Sequence, residues 1–233
     1  MRFAIVGSGA IGGFLGARLA LAGEDVTVIA RDANLEAIGR NGLRLIEEDL
    51  TERVAANVNV QAIGEQGAFD VVLLAVKAQQ VSGVARDVAR LLGPETVLVT
   101  LQNGVPWWFF HKLKGPYEDR LVHAADPYGV IAESIDPSYI VGAVVYPAAD
   151  LVAPGVVKVI EGDRFTHGEP DGSNSDRAGR DPCLCEPARH GVRAVRPPRH
   201  PAPQRTPPLG PQGGPLTPTG GASGRRGRVS ARR

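Results

Sequence analysis

Phe3-Ala4-Ile5-Val6-Gly7-Ser8-Gly9-Ala10-Ile11-Gly12 decides the fold of this 233-residue chain. The apolar run ends at Gly7, and a helical pattern begins almost at once. A G-x-G-x-x-G run between a strand and a helix is the arrangement that cradles the pyrophosphate of a dinucleotide. Gly7 permits a tight turn off the strand, Gly9 lets a phosphate approach the backbone, and Gly12 lets the helix pack against the strand. Ser8, Ala10 and Ile11 complete the loop. Phosphates held there face the free N–H groups and positive dipole end of a helix expected from about Ala10 to Ala22. Leu15, Leu19 and Ala20 fall on its buried side, Gly13 and Gly16 widen the close-packed face, and Gly23 suits the C-terminal cap. The competing interpretation is a glycine-rich turn that serves packing alone.

Asp25-Val26-Thr27-Val28-Ile29-Ala30 reads as the second strand, and it ends in Arg31. An acidic residue at this point holds the ribose 2′-OH of NAD, whereas an arginine suits the 2′-phosphate of NADP. Asp32 is read as the N-cap of a helix near 33–39. NADP is therefore the expected cofactor. Phe69 to Val76 is a near-continuous apolar run, as in a strand buried on both faces, and it ends at Lys77. A helix from about Gln80 to Leu92 follows, closed by Gly93-Pro94, and then a strand from Thr96 to Leu101 that ends in Gln102-Asn103-Gly104. Alternation of this kind predicts a doubly wound, mostly parallel α/β sheet of Rossmann type, with ligands beyond the carboxyl ends of the strands.

The Gly-rich loop, Arg31, Lys77 and Asn103 all fall at such ends. Lys77 offers a point charge to a cofactor phosphate or a substrate carboxylate, or is an exposed lysine flanking a helix. Asn103 offers an amide to a ribose or substrate oxygen, or is a turn residue of an Asn-Gly pair. Trp107-Trp108-Phe109-Phe110 walls a pocket or, more in keeping with such clusters, packs a helix onto the core. Val141–Tyr146 and Gly155–Ile160 read as further strands extending the sheet at its edge, with a short last strand over 166–169. His111, His123 and His167 have no metal-ligand or triad spacing.

Composition divides the chain. Residues 1–176 hold 14 Lys and Arg against 23 Asp and Glu, net −9; residues 177–233 hold 12 Arg, no Lys and two acids, net +10. After Phe165 there is no Phe, Trp, Tyr, Ile or Lys, and Arg, Pro, Gly and Ala dominate. Such a segment buries too little apolar surface to offset its ordering entropy, so disorder is expected from about residue 177. An Arg-rich arm is one use for it, but it lacks aromatic side chains for stacking on bases, and nucleic acid is not an expected partner. The abrupt shift also matches a changed reading frame in a GC-rich gene. Cys183 and Cys185 are read as incidental. Arg2 leads straight into a strand and no apolar run is long enough to span a bilayer, so a soluble cytoplasmic protein without a signal peptide is expected. Nothing in the sequence specifies an oligomeric state.

Taken together, Gly7–Gly12, Arg31, the Lys77-Ala78-Gln79-Gln80 and Gln102-Asn103-Gly104-Val105 stretches, Val144 to Ala149 and the hairpin from Gly155 to Gly168 resemble the ketopantoate reductases (2-dehydropantoate 2-reductases) over about residues 1–175. The resemblance implies NADPH-dependent reduction of a small keto acid, 2-dehydropantoate, to pantoate. It implies that Gly7–Gly12 hold the pyrophosphate, that Arg31 and Lys77 engage the 2′-phosphate side, that Asn103 touches cofactor and substrate, and that Ala148 makes a backbone contact to the cofactor. It also calls for a general-acid lysine opening an all-helical C-terminal domain. No lysine follows Lys158, so the catalytic residue is unknown, the helical domain is expected to be absent or replaced by residues 176–233, and little activity is expected. The rivals are a reductase of another 2-keto acid and a non-catalytic NADP-binding module with a basic tail.

Overall fold

The central strands of the main sheet are short and apolar, and the parallel ones hand over to a helix or turn at the same end of the sheet. The computed structural model describes residues 1–173, 175, 177 and 178. Strands β1 (Arg2–Val6), β2 (Asp25–Ala30), β5 (Asn59–Ala62), β6 (Val71–Leu74), β7 (Val97–Thr100), β8 (Ile140–Val145) and β11 (Phe165–Gly168) form a seven-stranded sheet in the order β11-β8-β7-β6-β1-β2-β5. All pairs are parallel except β11 with β8. Every residue of β6 and β7 is buried, as their unbroken apolar runs require in a sheet covered on both faces. The expected α/β architecture is therefore present, with β8 and β11 extending one edge.

Helix α1 (Ala10–Leu21) is buried over Gly12–Ala17 and at Leu19 and Ala20, far more than a surface helix allows. The reason is a second sheet. β3 (Leu43–Ile46), β4 (Glu52–Ala55), β9 (Ala148–Ala153) and β10 (Val156–Glu161) pair in the order β4-β3-β10-β9 and cover the side of α1 facing away from the main sheet. A Cβ placed on Gly13 would lie 2.6 Å from Val157 Cγ2 of β10, and one on Gly16 would lie 3.0 Å from Leu43 Cδ1 of β3. Gly13 admits the second sheet, while Gly16 lies between the two sheets, its Cβ position also 3.6 Å from Ile5 Cγ1 and Val28 Cγ2 of the main sheet. The expectation that the Gly155–Ile160 strand extends the main sheet is thus corrected. β10 lies parallel to β3 and antiparallel to β9, in a layer of its own.

Helix α2 (Asp32–Asn41) begins one residue earlier than expected. Arg31, not Asp32, occupies the N-cap, and no side chain caps it. Asp32 instead takes a left-handed φ of 51° as the chain turns off β2. The helix expected from Gln80 divides into a 3-10 turn over Ala78–Gln80 and α3 (Val81–Ala89). The aromatic cluster does pack on the core, but from a run of turns rather than a helix. Trp107 is buried, and the Trp108 ring lies where a side chain on Gly142 of β8 would be, 2.4 Å from its Cβ position. Behind this loop, the buried carboxylate of Asp126 accepts from the N–H groups of Ile131 and Ala132, both at 3.0 Å, anchoring α4 (Val130–Ser134).

Disorder was expected from about residue 177, and Cys183 and Cys185 were expected to be incidental. Apart from Arg177 and Ala178, both expectations fall outside the described residues. Arg177 is anchored: its guanidinium donates to both oxygens of Glu169, at 2.7 and 2.6 Å, beneath β11. Among the described residues no helix is long and apolar enough to cross a membrane.

Gly142→Ala must displace the Trp108 ring and lowers stability by about 1–3 kcal/mol, whereas Gly83→Ala, with open space at its Cβ position in α3, raises it by up to about 1 kcal/mol; thermal denaturation of both variants checks the pair. Asp136 accepts from the Ser138 N–H at 2.8 Å, and its hydrogen bonds to Ser138 hold its carboxyl below the usual range. That stabilisation is present above the unfolded value, about 3.9, and is lost as pH falls through the lower folded value. Asp136→Asn therefore flattens the acid side of a stability-against-pH curve.

Candidate cofactor-binding site

The parallel register sets the site. Val6 of β1 pairs with Ile29 of β2 and with Leu74 of β6, and Leu74 pairs with Thr100 of β7. Backbone bonds carry this alignment one step further: Gly7 N–H donates to Ile29 O at 3.2 Å, Ala75 N–H to Val6 O at 2.8 Å, and Leu101 N–H to Leu74 O at 3.1 Å. The glycine loop, Arg31, Lys77 and Asn103 therefore leave adjacent strands at nearly one level. This is the carboxyl end of the sheet, where such folds place their ligands.

Within the loop each glycine has a distinct surrounding. Gly7 has φ +103°, and a Cβ there would lie 2.8 Å from Val76 Cγ1. A Cβ on Gly12 would fall 1.9 Å from Gly7 O, so α1 starts against the turn it leaves. Gly9 has nothing within 4 Å of its Cβ position, so its backbone is open to an approaching group. No side chain caps α1, which leaves the N–H groups of its first turn facing that opening. Ser8 is buried beneath it. A cradle of bare backbone donors at a helix N-terminus fits an anionic pyrophosphate.

Arg31 stands exposed at the end of β2, its Nε 3.7 Å from Asp32 Oδ2. This surface pair is worth little in water, so the guanidinium is available to a stronger anion. Lys77 is also exposed and opens the 3-10 turn after β6. Its N–H donates to Gln80 Oε1 at 3.1 Å, and its carbonyl accepts from Gln80 N–H at 2.8 Å.

Asn103 has a more definite structural task than its turn-pair sequence implies. Its Nδ2 donates to Val145 O at 3.0 Å, and its Oδ1 accepts from Val145 N–H at 3.1 Å. The side chain thus ties the exit of β7 to the end of β8, just before Ala148 begins β9. One amide hydrogen and one lone pair remain for a ligand. Ala148 is exposed.

Sequence reasoning left out the side chain of Gln102 and a cavity beside it. The cavity, about 280 Å³, is bounded by Gln79, Gln102, Asn103, Pro106, Trp107 and Ile131, among others. Trp107 thus both packs on the core and walls a pocket. A glutamine directly after a buried strand was the available signal.

The first 173 residues carry a clear family likeness. The family model for ketopantoate reductase PanE/ApbA matches residues 3–172. The chain belongs to the ketopantoate reductase family. A 2-dehydropantoate 2-reductase of Mesorhizobium japonicum is 49% identical over 179 residues, covering 76% of this chain and 54% of that protein. A solved structure from Ralstonia solanacearum, provisionally described as a ketopantoate reductase, superposes with a TM-score of 0.72 at 42% identity, covering 78% of this chain and 56% of the other. A PanE/ApbA family ketopantoate reductase from Ralstonia eutropha gives 0.56 at 27% identity, covering 72% and 49%. The chain spans about half the length of the curated relatives it matches.

Asn103→Ala strips Val145 of both partners and lowers stability by about 1–2 kcal/mol. A denaturant titration that shows no loss contradicts the tie between β7 and β8.

Proposed function

We propose that residues 1–173 form the NADPH-binding half of a 2-dehydropantoate 2-reductase. The observation that carries this is the bare backbone cradle at Gly7–Gly12, flanked in register by the cations Arg31 and Lys77. In the proposed complex the first-turn N–H groups of α1 hold the pyrophosphate, with Ser8, Ala10 and Ile11 lining the loop. Arg31 and Lys77 bind the adenosine 2′-phosphate. Asn103 uses its spare amide hydrogen on cofactor or substrate, and Ala148 adds a backbone contact. When bound, the nicotinamide supplies the hydride that converts the keto group of 2-dehydropantoate to the alcohol of pantoate.

The reduction leaves an alkoxide that must gain a proton, and a nearby cation eases its formation. Residues 159–233 contain no lysine to act as the general acid that the family resemblance calls for. Lys77 is committed to the cofactor in this proposal. The chain is therefore proposed to bind NADPH, and no general acid is assigned among these residues. The partner is a small keto acid, with neither membrane nor nucleic acid involved, and the proposed location is the cytoplasm.

Calorimetric titration with both coenzymes tests the proposal. NADPH binds the full chain more tightly than NADH, and Arg31→Ala weakens NADPH by about tenfold or more while leaving NADH nearly unchanged. Equal affinity for the two coenzymes removes the case for NADP.

A further inference from the structure

We propose that Gln102 is the positioning residue behind discrimination between NADPH and NADH, because it pins the backbone from which Lys77 projects. This rests on the assignment of Lys77 to the 2′-phosphate.

Strand pairing of β6 ends at Leu74, and the 3-10 turn begins at Ala78. The linking residues, Ala75, Val76 and Lys77, belong to no strand or helix. Val76 nonetheless has to stay close to the glycine loop, with its N only 3.0 Å from the Cβ position of Gly7. Gln102 supplies the missing support. It follows Leu101, whose N–H donates to Leu74 O. Its Nε2 then donates to Leu74 O at 2.7 Å and to Val76 O at 2.9 Å. An amide nitrogen carries two hydrogens, so both are used, one on each carbonyl.

The cost of this arrangement shows what it is for. Gln102 Oε1 is buried and has no hydrogen-bond partner among the described residues. Rotating the amide would pair neither carbonyl and would set oxygen against oxygen. The side chain is thus held for its two donors at the expense of its acceptor, and an unpaired buried acceptor is unfavourable. The Val76 carbonyl belongs to the same peptide unit as the Lys77 N–H. That N–H is held in turn by Gln80 Oε1. Lys77 is therefore clamped on both sides, by Gln102 before it and Gln80 after it. A lysine is a point charge on a flexible stem, and fixing its origin lowers the entropy lost when it meets a phosphate. NADH has no 2′-phosphate and gains nothing from the clamp.

The test uses the full chain and the Kd values for NADPH and NADH of wild type, Gln102→Met, Gln102→Glu, Lys77→Ala and the Gln102→Met/Lys77→Ala pair. Gln102→Met removes both donors, and Gln102→Glu sets a carboxylate against the two carbonyls. Each is expected to weaken NADPH about tenfold and NADH less than about twofold, and Gln102→Met adds nothing once Lys77 is gone. A second measurement needs no variant: both Nε2 hydrogens of Gln102 in the wild type are protected from solvent exchange. Equal losses for the two coenzymes, an unchanged NADPH preference, a Gln102→Met loss that persists without Lys77, or unprotected Nε2 hydrogens each overturn the proposal. In those cases NADPH binding by the wild type still stands. A wild type that binds neither coenzyme defeats the NADPH assignment itself, and this inference with it.

Discussion

The contact between Gly12 and the carbonyl of Gly7 is the constraint on which this structure depends. With 1.9 Å between a Cβ position and a backbone oxygen, no other residue fits without moving the turn or the helix. Because α1 starts there, its first-turn N–H groups open directly above the end of β1. Because Gly7 takes a left-handed φ against Val76, β1 and β6 release their chains side by side. The cradle and its flanking cations follow from that one close approach, since parallel register carries the level of Gly7 across to Arg31, Lys77 and Asn103.

The same helix links the two sheets. Its Phe14 ring stacks on Phe165 of the main sheet, and it also accepts β3 and β10 across Gly13 and Gly16. A helix enclosed on both sides is firmly held, which suits a group whose dipole must face a fixed anion. Polar side chains complete the support where backbone pairing stops. Gln102 takes over at the end of β6, and Asn103 takes over between β7 and β8. Both residues follow one buried strand, so a single loop braces three strand ends.

The sequence shows the central strands of the main sheet clearly, because strands buried on both faces leave apolar runs such as Val71–Leu74 and Val97–Val99, whereas the edge strand Asn59–Ala62, half polar, was not read as one. The glycine loop is legible for a related reason: each glycine answers a steric demand that no other residue meets. The second sheet is harder to see. Its strands are short or mixed in polarity, as in Glu52–Ala55, and its pairing of residues 44–46 with 156–158 joins segments more than a hundred positions apart. One sign of it was present, since an α1 that is apolar all round except at Arg18 needs a cover on each side. Arg31, Lys77 and Asn103 are legible as polar residues at the ends of strands, which is where the structure has them. The tie from Asn103 to Val145 and the clamp at Gln102 are not legible, because an amide does not announce which backbone group it will meet.

The central claim is that the end of the main sheet is an NADPH cradle built from Gly7–Gly12, Arg31 and Lys77. Backbone amide shifts recorded during titration of the full chain with NADPH test it most directly. The account predicts saturable shifts at Gly9, Ala10, Ile11, Arg31 and Lys77, with those at Arg31 and Lys77 much reduced when NADH is used. Shifts that bypass the glycine loop, or that are the same for both coenzymes at Arg31 and Lys77, would contradict it.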